Sequence, residues 1–143
     1  ESPDSGTVYR NDNVNWMYLP QDIKEFYKEE ILLDNFHFDN IPETKIRQFL
    51  GSAKLGGEQV FQNIKSLSHG ELMRAAVVKA ILLKTEFLFL DEPTNHLDIE
   101  SLDILDNLLD EFPGGFLFIS HDRHFIAKHA ERSYYLTMVN GER

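Results

Sequence analysis

The chain of 143 residues contains no cysteine, which excludes a disulfide scaffold and is typical of a cytoplasmic protein. No apolar stretch approaches the roughly eighteen residues of a membrane-spanning helix, and the first four residues lack the basic flank of a signal peptide. Basic residues are few: 14 Lys and Arg stand against 24 Asp and Glu, without the clustered cations of a nucleic-acid surface. The composition therefore predicts a soluble, cytoplasmic protein that does not insert into a membrane.

What the chain does contain is most informative at residues 87–98, FLFLDEPTNHLD. Four bulky apolar residues without alternation predict a strand covered on both faces, as in a parallel sheet. Ligands of such sheets bind at the carboxyl ends of the strands. Asp91 is therefore placed to hold Mg²⁺, and Glu92 to orient or deprotonate a water that attacks a terminal phosphate. The alternative is a pair of solvated loop acids after a core strand.

A helix start lies upstream of this strand. Ser68 and Glu71 have the spacing of a capping box, and the residues from Leu72 to Leu83 contain no Gly or Pro. Such an N-terminus attracts anions, because its free N–H groups and the helix dipole both point towards the ligand. By itself, the capping box predicts only that a helix begins at Ser68.

Two further polar residues follow short apolar runs. Phe116 to Ile119 reads as a second strand that ends at His121, where an imidazole can hydrogen-bond a γ-phosphate or the attacking water. Met17 to Leu19 is stopped by Pro20, and the amide of Gln21 follows at once. The Gln21 side chain could reach Mg²⁺ or the same water.

In this order the motifs resemble the nucleotide-binding domain of ATP-binding-cassette (ABC) proteins. Gln21 corresponds to the Q-loop glutamine, residues 67–71 to the signature motif, 88–92 to Walker B, 95–98 to the D-loop and His121 to the switch histidine. The resemblance implies an α/β fold, a P-loop NTPase-like and mostly parallel sheet with an inserted helical subdomain. The amino-acid sequences of residues 91–98 and 120–125 are most similar to those of the ABC-F group. Members of that group are soluble twin-cassette proteins that act on the ribosome, and some confer antibiotic resistance.

The resemblance also implies how ATP would be hydrolysed. Asp91 and Gln21 would position Mg²⁺, Glu92 would activate the attacking water, and His121 would steady the γ-phosphate. Since Glu92 is present, the parent protein is expected to turn over ATP.

A second cassette is implied as the partner. Ser68 and Gly70 of the signature motif would bind the nucleotide held by the opposite cassette, and Asp98 of the D-loop would couple the two halves. His69 replaces the first glycine that the family places after the serine, and could either donate a hydrogen bond to the nucleotide or weaken the contact sterically. The backbone at this point is expected to come close to a phosphate, which favours a residue without Cβ such as Gly70.

The chain has no P-loop, the Gly-rich run ending in Lys and Ser or Thr that cradles phosphates. The pair Gly51 and Gly56 has the spacing, but Gly57 and Glu58 follow it and no strand precedes it. Because residues 2–8 resemble the turn that follows the P-loop helix, the chain is expected to begin just past the P-loop, with the first strand missing. It should then bind ATP weakly, be inactive alone, and expose apolar surface that favours self-association or a complementing chain.

The chain divides into three predicted segments: 1–21 as sheet up to the Q-loop, 22–84 as the helical subdomain with the signature motif, and 85–143 from Walker B to a final strand. The pattern also predicts local elements. These are strands at 7–9, 15–19 and 133–139, a turn at 11–13, and helices from 98 to 112 and from 122 to 131.

Three functions remain open: a ribosome-acting ABC-F protein, the ATPase subunit of an ABC membrane transporter, and a non-catalytic fragment that acts only by association. A zinc site at His121, His124 and His129 is disfavoured, because these residues do not converge on one face. Residues 86–111 carry nine acids and no Lys or Arg, so this region is not expected to be an RNA-binding surface.

Overall fold

The computed structural model describes residues 6–9 and 11–135. Its centre is a three-stranded parallel sheet in the order β1 (Trp16–Leu19), β2 (Phe87–Asp91) and β3 (Gly115–Ile119). The register sets Tyr18 opposite Phe89, and Leu90 opposite Phe118. The predicted α/β class with a parallel sheet is confirmed. Because all three strands run the same way, their carboxyl ends lie at one edge of the sheet.

Four α-helices accompany the sheet: α1 (Glu43–Ser52), α2 (His69–Leu82), α3 (Ile99–Asp110) and α4 (Arg123–His129). The segment between β1 and α2 is otherwise built from short 3₁₀ helices, at Ile23–Phe26, Leu33–Phe36, Gly57–Phe61 and Ile64–Ser66. Helix α2 is buried on nearly all sides, because it lies in the core and packs against α3. This accounts for its apolar sequence without a polar stripe.

Side-chain caps fix where three of the helices begin. Ser68 Oγ accepts a hydrogen bond from the Glu71 amide at 3.2 Å, and the Glu71 carboxylate accepts one from the Ser68 amide at 2.8 Å, so the predicted capping box is confirmed. Asp98 and Asp122 cap α3 and α4. Both of these helices are shorter than predicted, ending at Asp110 and His129.

The two faces of the sheet differ sharply. On one face Leu88 and Leu90 are buried, and Phe118 packs edge-on against Phe125 of α4 with ring centroids 4.9 Å apart. The opposite face is an open apolar groove of about 670 Å³, lined mainly by Val8, Tyr9, Trp16, Tyr18, Phe87, Phe89, Leu117 and Ile119. The prediction that β2 is covered on both faces is wrong for the described residues, since its outward side chains meet no helix there. The expected uncovered apolar surface is present.

Two predicted strands are not formed as expected. Residues 7–9 are not a strand, because Val8 and Tyr9 lie over the open face and do not pair with an edge of the sheet. Residues 133–135 are irregular, and 136–139 lie outside the described residues. The turn at 11–13 is confirmed by a hydrogen bond of 3.1 Å from the Asn13 amide to the Asn11 side chain. No helix within the described ranges has the length and apolarity to cross a membrane.

Candidate functional site

The carboxyl edge of the sheet brings together the residues that follow β2 and β3. Nε2 of His121 lies 3.3 Å from Oε1 of Glu92. The Glu92 side chain is only 10% exposed, whereas that of His121 is 94% exposed. Oε2 of Glu92 is buried and has no hydrogen-bond partner among the residues described. A buried carboxylate oxygen without a donor favours a water or another polar group beside it, because an unsatisfied acceptor is costly.

Glu92 is held in an unusual backbone conformation. Its φ is 49°, in the left-handed region that residues with a Cβ rarely adopt. Its amide donates a hydrogen bond to the Ile119 carbonyl at 2.9 Å, which ties the residue after β2 to the end of β3. Strain of this kind costs about 1–3 kcal/mol and persists only where the surroundings impose it, commonly at functional sites.

Asp91 occupies the other side of the same edge. It lines the open groove, and its Oδ2 accepts a hydrogen bond of 3.0 Å from the Tyr18 hydroxyl. This hydrogen bond is the main reason that the pKa of Tyr18 is raised, with burial contributing second. Sequence reasoning missed Tyr18, although its place just before Pro20 and Gln21 puts it on the strand beside β2.

The oxygen donors fit Mg²⁺, which takes hard ligands and is usually held by one or two carboxylates together with waters and substrate phosphates. Asp91 supplies one carboxylate at the groove. Gln21 is exposed and follows β1 at the same edge, but no hydrogen bond joins its amide to Asp91 or Glu92 among the described residues. Groups of three or more His, Asp or Glu that could hold a metal are absent from the part of the chain described.

The loops after β2 and β3 are linked to each other. Thr94 Oγ1 and Ser120 Oγ are 3.3 Å apart, and Ser120 Oγ also accepts a hydrogen bond from the Asp122 amide at 3.0 Å. His121 lies between Ser120 and Asp122, so this hydrogen bond spans its backbone. His129 takes no part in a histidine cluster: its Nε2 is 2.8 Å from the Asp106 carboxylate on α3.

At the signature motif, Ser68 is exposed but its Oγ already accepts the cap hydrogen bond. Gly70 is buried, and a Cβ added there would lie 2.8 Å from Ser101 Oγ and 3.1 Å from Leu97 Cδ2. The structure therefore gives a different reason for this glycine from the one expected: its missing side chain lets α2 pack closely against α3.

His69 contacts the D-loop. Its ring lies 6.2 Å from that of His96, centroid to centroid. Burial lowers the pKa of His69, and the nearby His96 lowers it further, which favours the neutral imidazole. Nε2 of His69 is buried without a hydrogen-bond partner in the residues that the structure describes.

Ser101 links the D-loop to α2. Its amide donates a hydrogen bond of 2.7 Å to Asp98 Oδ1, which is the largest cause of the lowered pKa of Asp98. Its hydroxyl accepts one of 3.2 Å from Nη1 of the buried Arg74. Arg74 was also missed from the sequence, although a cation inside the apolar stretch of α2 signalled a buried polar partner.

Comparisons with known proteins identify the family of the chain. Residues 1–95 match the family model described as ABC transporter. YdiF of Bacillus subtilis is 42% identical over 132 residues, which are 91% of this chain and 21% of that protein. ABC transporter F family member 3 of Arabidopsis thaliana is 35% identical over 128 residues, which are 87% of this chain and 18% of that protein.

Solved structures of ATP-binding cassettes share the fold. The dimeric structure of the cassette MJ0796 in a post-hydrolysis state, bound to ADP and Pi, superposes with a TM-score of 0.59 at 21% identity. The matched region covers 81% of this chain and 55% of that one. A second dimeric structure of MJ0796 gives a TM-score of 0.62 at 18% identity, covering 82% of this chain and 56% of that one.

The parallel sheet and the likeness to solved cassettes show an α/β domain with a P-loop NTPase-like fold. The chain belongs to the ABC transporter family, and its relatives include members of the F group. It spans 21% and 26% of the length of the two Bacillus relatives YdiF and YkpA.

Proposed function

We propose that this chain is part of an ABC-F ATPase that binds and hydrolyses ATP at composite sites between two cassettes. The observation that carries the proposal is the contact between Glu92 and His121 beside Asp91, at the carboxyl edge of the sheet. A buried carboxylate next to an exposed imidazole is an arrangement that can hold a water and manage its proton.

In this proposal the Glu92 carboxylate, beside the exposed His121, accepts a hydrogen bond from the attacking water and serves as the base. His121, which reaches into solvent, donates to the terminal phosphate. Mg²⁺, when bound, neutralises charge on the phosphates, and Asp91 and Gln21 are the residues that would hold it. The left-handed backbone at Glu92 keeps its carboxylate directed to His121.

The second cassette would complete the site. Ser68 and Gly70 would face the nucleotide bound by the opposite cassette, and Asp98 would couple the halves through Ser101 and α3. Support comes from the dimeric state of the solved cassette MJ0796. Since the 143 residues contain no P-loop, the donors that cradle the triphosphate would come from elsewhere, and this chain alone should bind ATP weakly if at all.

The ribosome is the proposed target of the whole protein, as a translation factor or a resistance protein. The similarity to F-group relatives and the wording of residues 91–98 support it. With a net charge of −10, this part of the protein would not supply the main RNA contacts. The basic surface would have to lie in other segments.

The base role is tested by Glu92→Gln in the full-length protein that contains this chain. We expect kcat for ATP hydrolysis to fall about 100-fold or more, because a general base contributes that much, while ATP binding persists. Glu111→Gln makes the same change at an exposed acid at the end of α3 and should leave kcat unchanged. Retention of wild-type kcat by Glu92→Gln would contradict the proposal.

The target is tested by sedimenting the same Glu92→Gln protein with ribosomes in the presence of ATP. Slow hydrolysis should hold the protein in its ATP-bound state and increase its share in the ribosomal pellet. Recovery with membranes and not with ribosomes would favour the transporter alternative.

The third alternative, a non-catalytic fragment, is tested by calorimetry on the 143-residue chain, where micromolar binding of ATP would contradict the proposal that a P-loop from elsewhere is needed.

A further inference from the structure

We propose that Tyr18 is a positioning residue, which holds the Asp91 carboxylate in one orientation ready to bind the metal. This inference deepens the proposed function, because it concerns the carboxylate expected to hold Mg²⁺. Its first test, however, needs neither metal nor nucleotide.

The geometry of two parallel strands carries the inference. Tyr18 lies opposite Phe89 in the register of β1 and β2, so Asp91 is two residues further along on the same face. A tyrosine is long enough to span this diagonal, and its hydroxyl reaches Asp91 Oδ2 at 3.0 Å. A leucine or valine at position 18 would cover the same apolar face but could not reach the carboxylate.

The hydroxyl is the only hydrogen-bond partner of the Asp91 carboxylate among the residues described. It engages Oδ2 and leaves Oδ1 available as a metal ligand. The Tyr18 hydroxyl donates and the carboxylate accepts, so this contact still leaves one carboxylate oxygen free of a protein donor among the residues described. Groups that hydrogen-bond an atom of a ligand side chain other than the metal-binding atom commonly fix the orientation of that side chain.

The Tyr18 ring is not part of the buried core. It is 48% exposed on the open groove, so packing alone does not fix its position. Its strand neighbour on that face, Trp16, instead packs edge-on against Phe89, with ring centroids 5.7 Å apart. The hydrogen bond to Asp91 is therefore the specific contact that distinguishes Tyr18 from the apolar residues around it.

The first test measures the orientation of Asp91 directly. In the metal-free full-length protein that contains this chain, labelled at aspartate, couplings of the carboxyl carbon of Asp91 report its χ1 rotamer. We expect one dominant rotamer in the wild type and averaging over several in Tyr18→Phe, which keeps the ring and removes the donor. Tyr9→Phe is the matched control: Tyr9 lines the same groove and is 92% exposed, so Asp91 should keep its rotamer. A single unchanged rotamer in Tyr18→Phe would overturn the inference.

The second test measures metal affinity in the full-length protein. Free Mn²⁺ is counted by electron paramagnetic resonance with the protein in excess over ATP, so that little ATP remains in solution to bind the metal. Under these conditions Tyr18→Phe should raise the Kd for Mn²⁺ about tenfold, at the low end for such partners because the hydrogen bond is half exposed. Tyr9→Phe should leave the Kd unchanged. A Kd that is unchanged or lower in Tyr18→Phe would refute the positioning role. If the wild type bound no Mn²⁺ with ATP, the proposed function would fail, and the rotamer measurement would still decide the role of Tyr18.

Discussion

The contact between α2 and α3 at Gly70 gives a prediction whose size follows from the geometry. In Gly70→Ala the new Cβ would lie 2.8 Å from Ser101 Oγ and 2.9 Å from Ser101 Cβ. The hydroxyl can rotate away, but Cβ is fixed to the backbone of α3. The two helices must therefore move apart at the first turn of α3, just after the D-loop.

Two opposing terms set the magnitude. Forcing an extra methyl group into a packed interface costs about 1–3 kcal/mol. Alanine in place of glycine returns at most about 1 kcal/mol through its higher helix propensity. We expect a net loss of up to about 2 kcal/mol, which for a domain of this size lowers Tm by up to about 6 °C.

The assay is thermal and urea unfolding of the 143-residue chain at low concentration, followed by circular dichroism. Gly51→Ala is the matched control, since Gly51 lies in α1 and an added Cβ there meets nothing within 4 Å. That exchange should stabilise the chain by about 0.4–1 kcal/mol. If Gly70→Ala were as stable as Gly51→Ala, the close packing of α2 on α3 would not be what requires this glycine.

Two further predictions concern the D-loop and the open face. Asp98→Ala should lower Tm at pH 7, because it removes the cap of α3. The folded-state pKa of Asp98 is depressed below the usual 3.8, so the ionised cap stabilises the folded state fully above pH 3.8, and this stabilisation is lost as the pH falls through the folded-state pKa. The difference in Tm from the wild type should therefore narrow in acid, and a difference that stayed constant down to pH 2 would contradict this account. Leu117→Lys should reduce self-association measured by light scattering, because Leu117 is 55% exposed on the open apolar face. The control Ile99→Lys changes an 81% exposed residue outside that face, and an equal effect of both changes would show that the face is not responsible.

The sequence was sufficient for the features that depend on local patterns. The strand before Asp91, the cap at Ser68 and the helix starts near Asp98 and Asp122 were all predicted, because each rests on residues adjacent in the chain. The proximity of Glu92 and His121 also followed, since parallel strands end at one edge. The prediction for Glu92 and His121 needed only the direction of the strands and not their exact packing.

The features that sequence reasoning missed depend on which face of an element meets which neighbour. Tyr18 could not be paired with Asp91 without the register of β1 and β2. The role of Gly70 depended on the crossing of α2 and α3, which no local pattern gives. The apolar run of β2 gave the wrong expectation of two covered faces, because hydrophobicity reports that a face can be buried and not what buries it.

The adjacent acids Asp91 and Glu92 are directed to different partners by the backbone between them. Asp91 keeps the strand alternation of β2, so it shares the open face with Phe89 and meets Tyr18. Glu92 leaves the strand through a left-handed φ of 49° and meets His121. One carboxylate is thus available at the groove while its neighbour is buried beside the imidazole. Because a left-handed residue with a Cβ is strained, it needs support from its surroundings, and the hydrogen bond from the Glu92 amide to the Ile119 carbonyl supplies part of it.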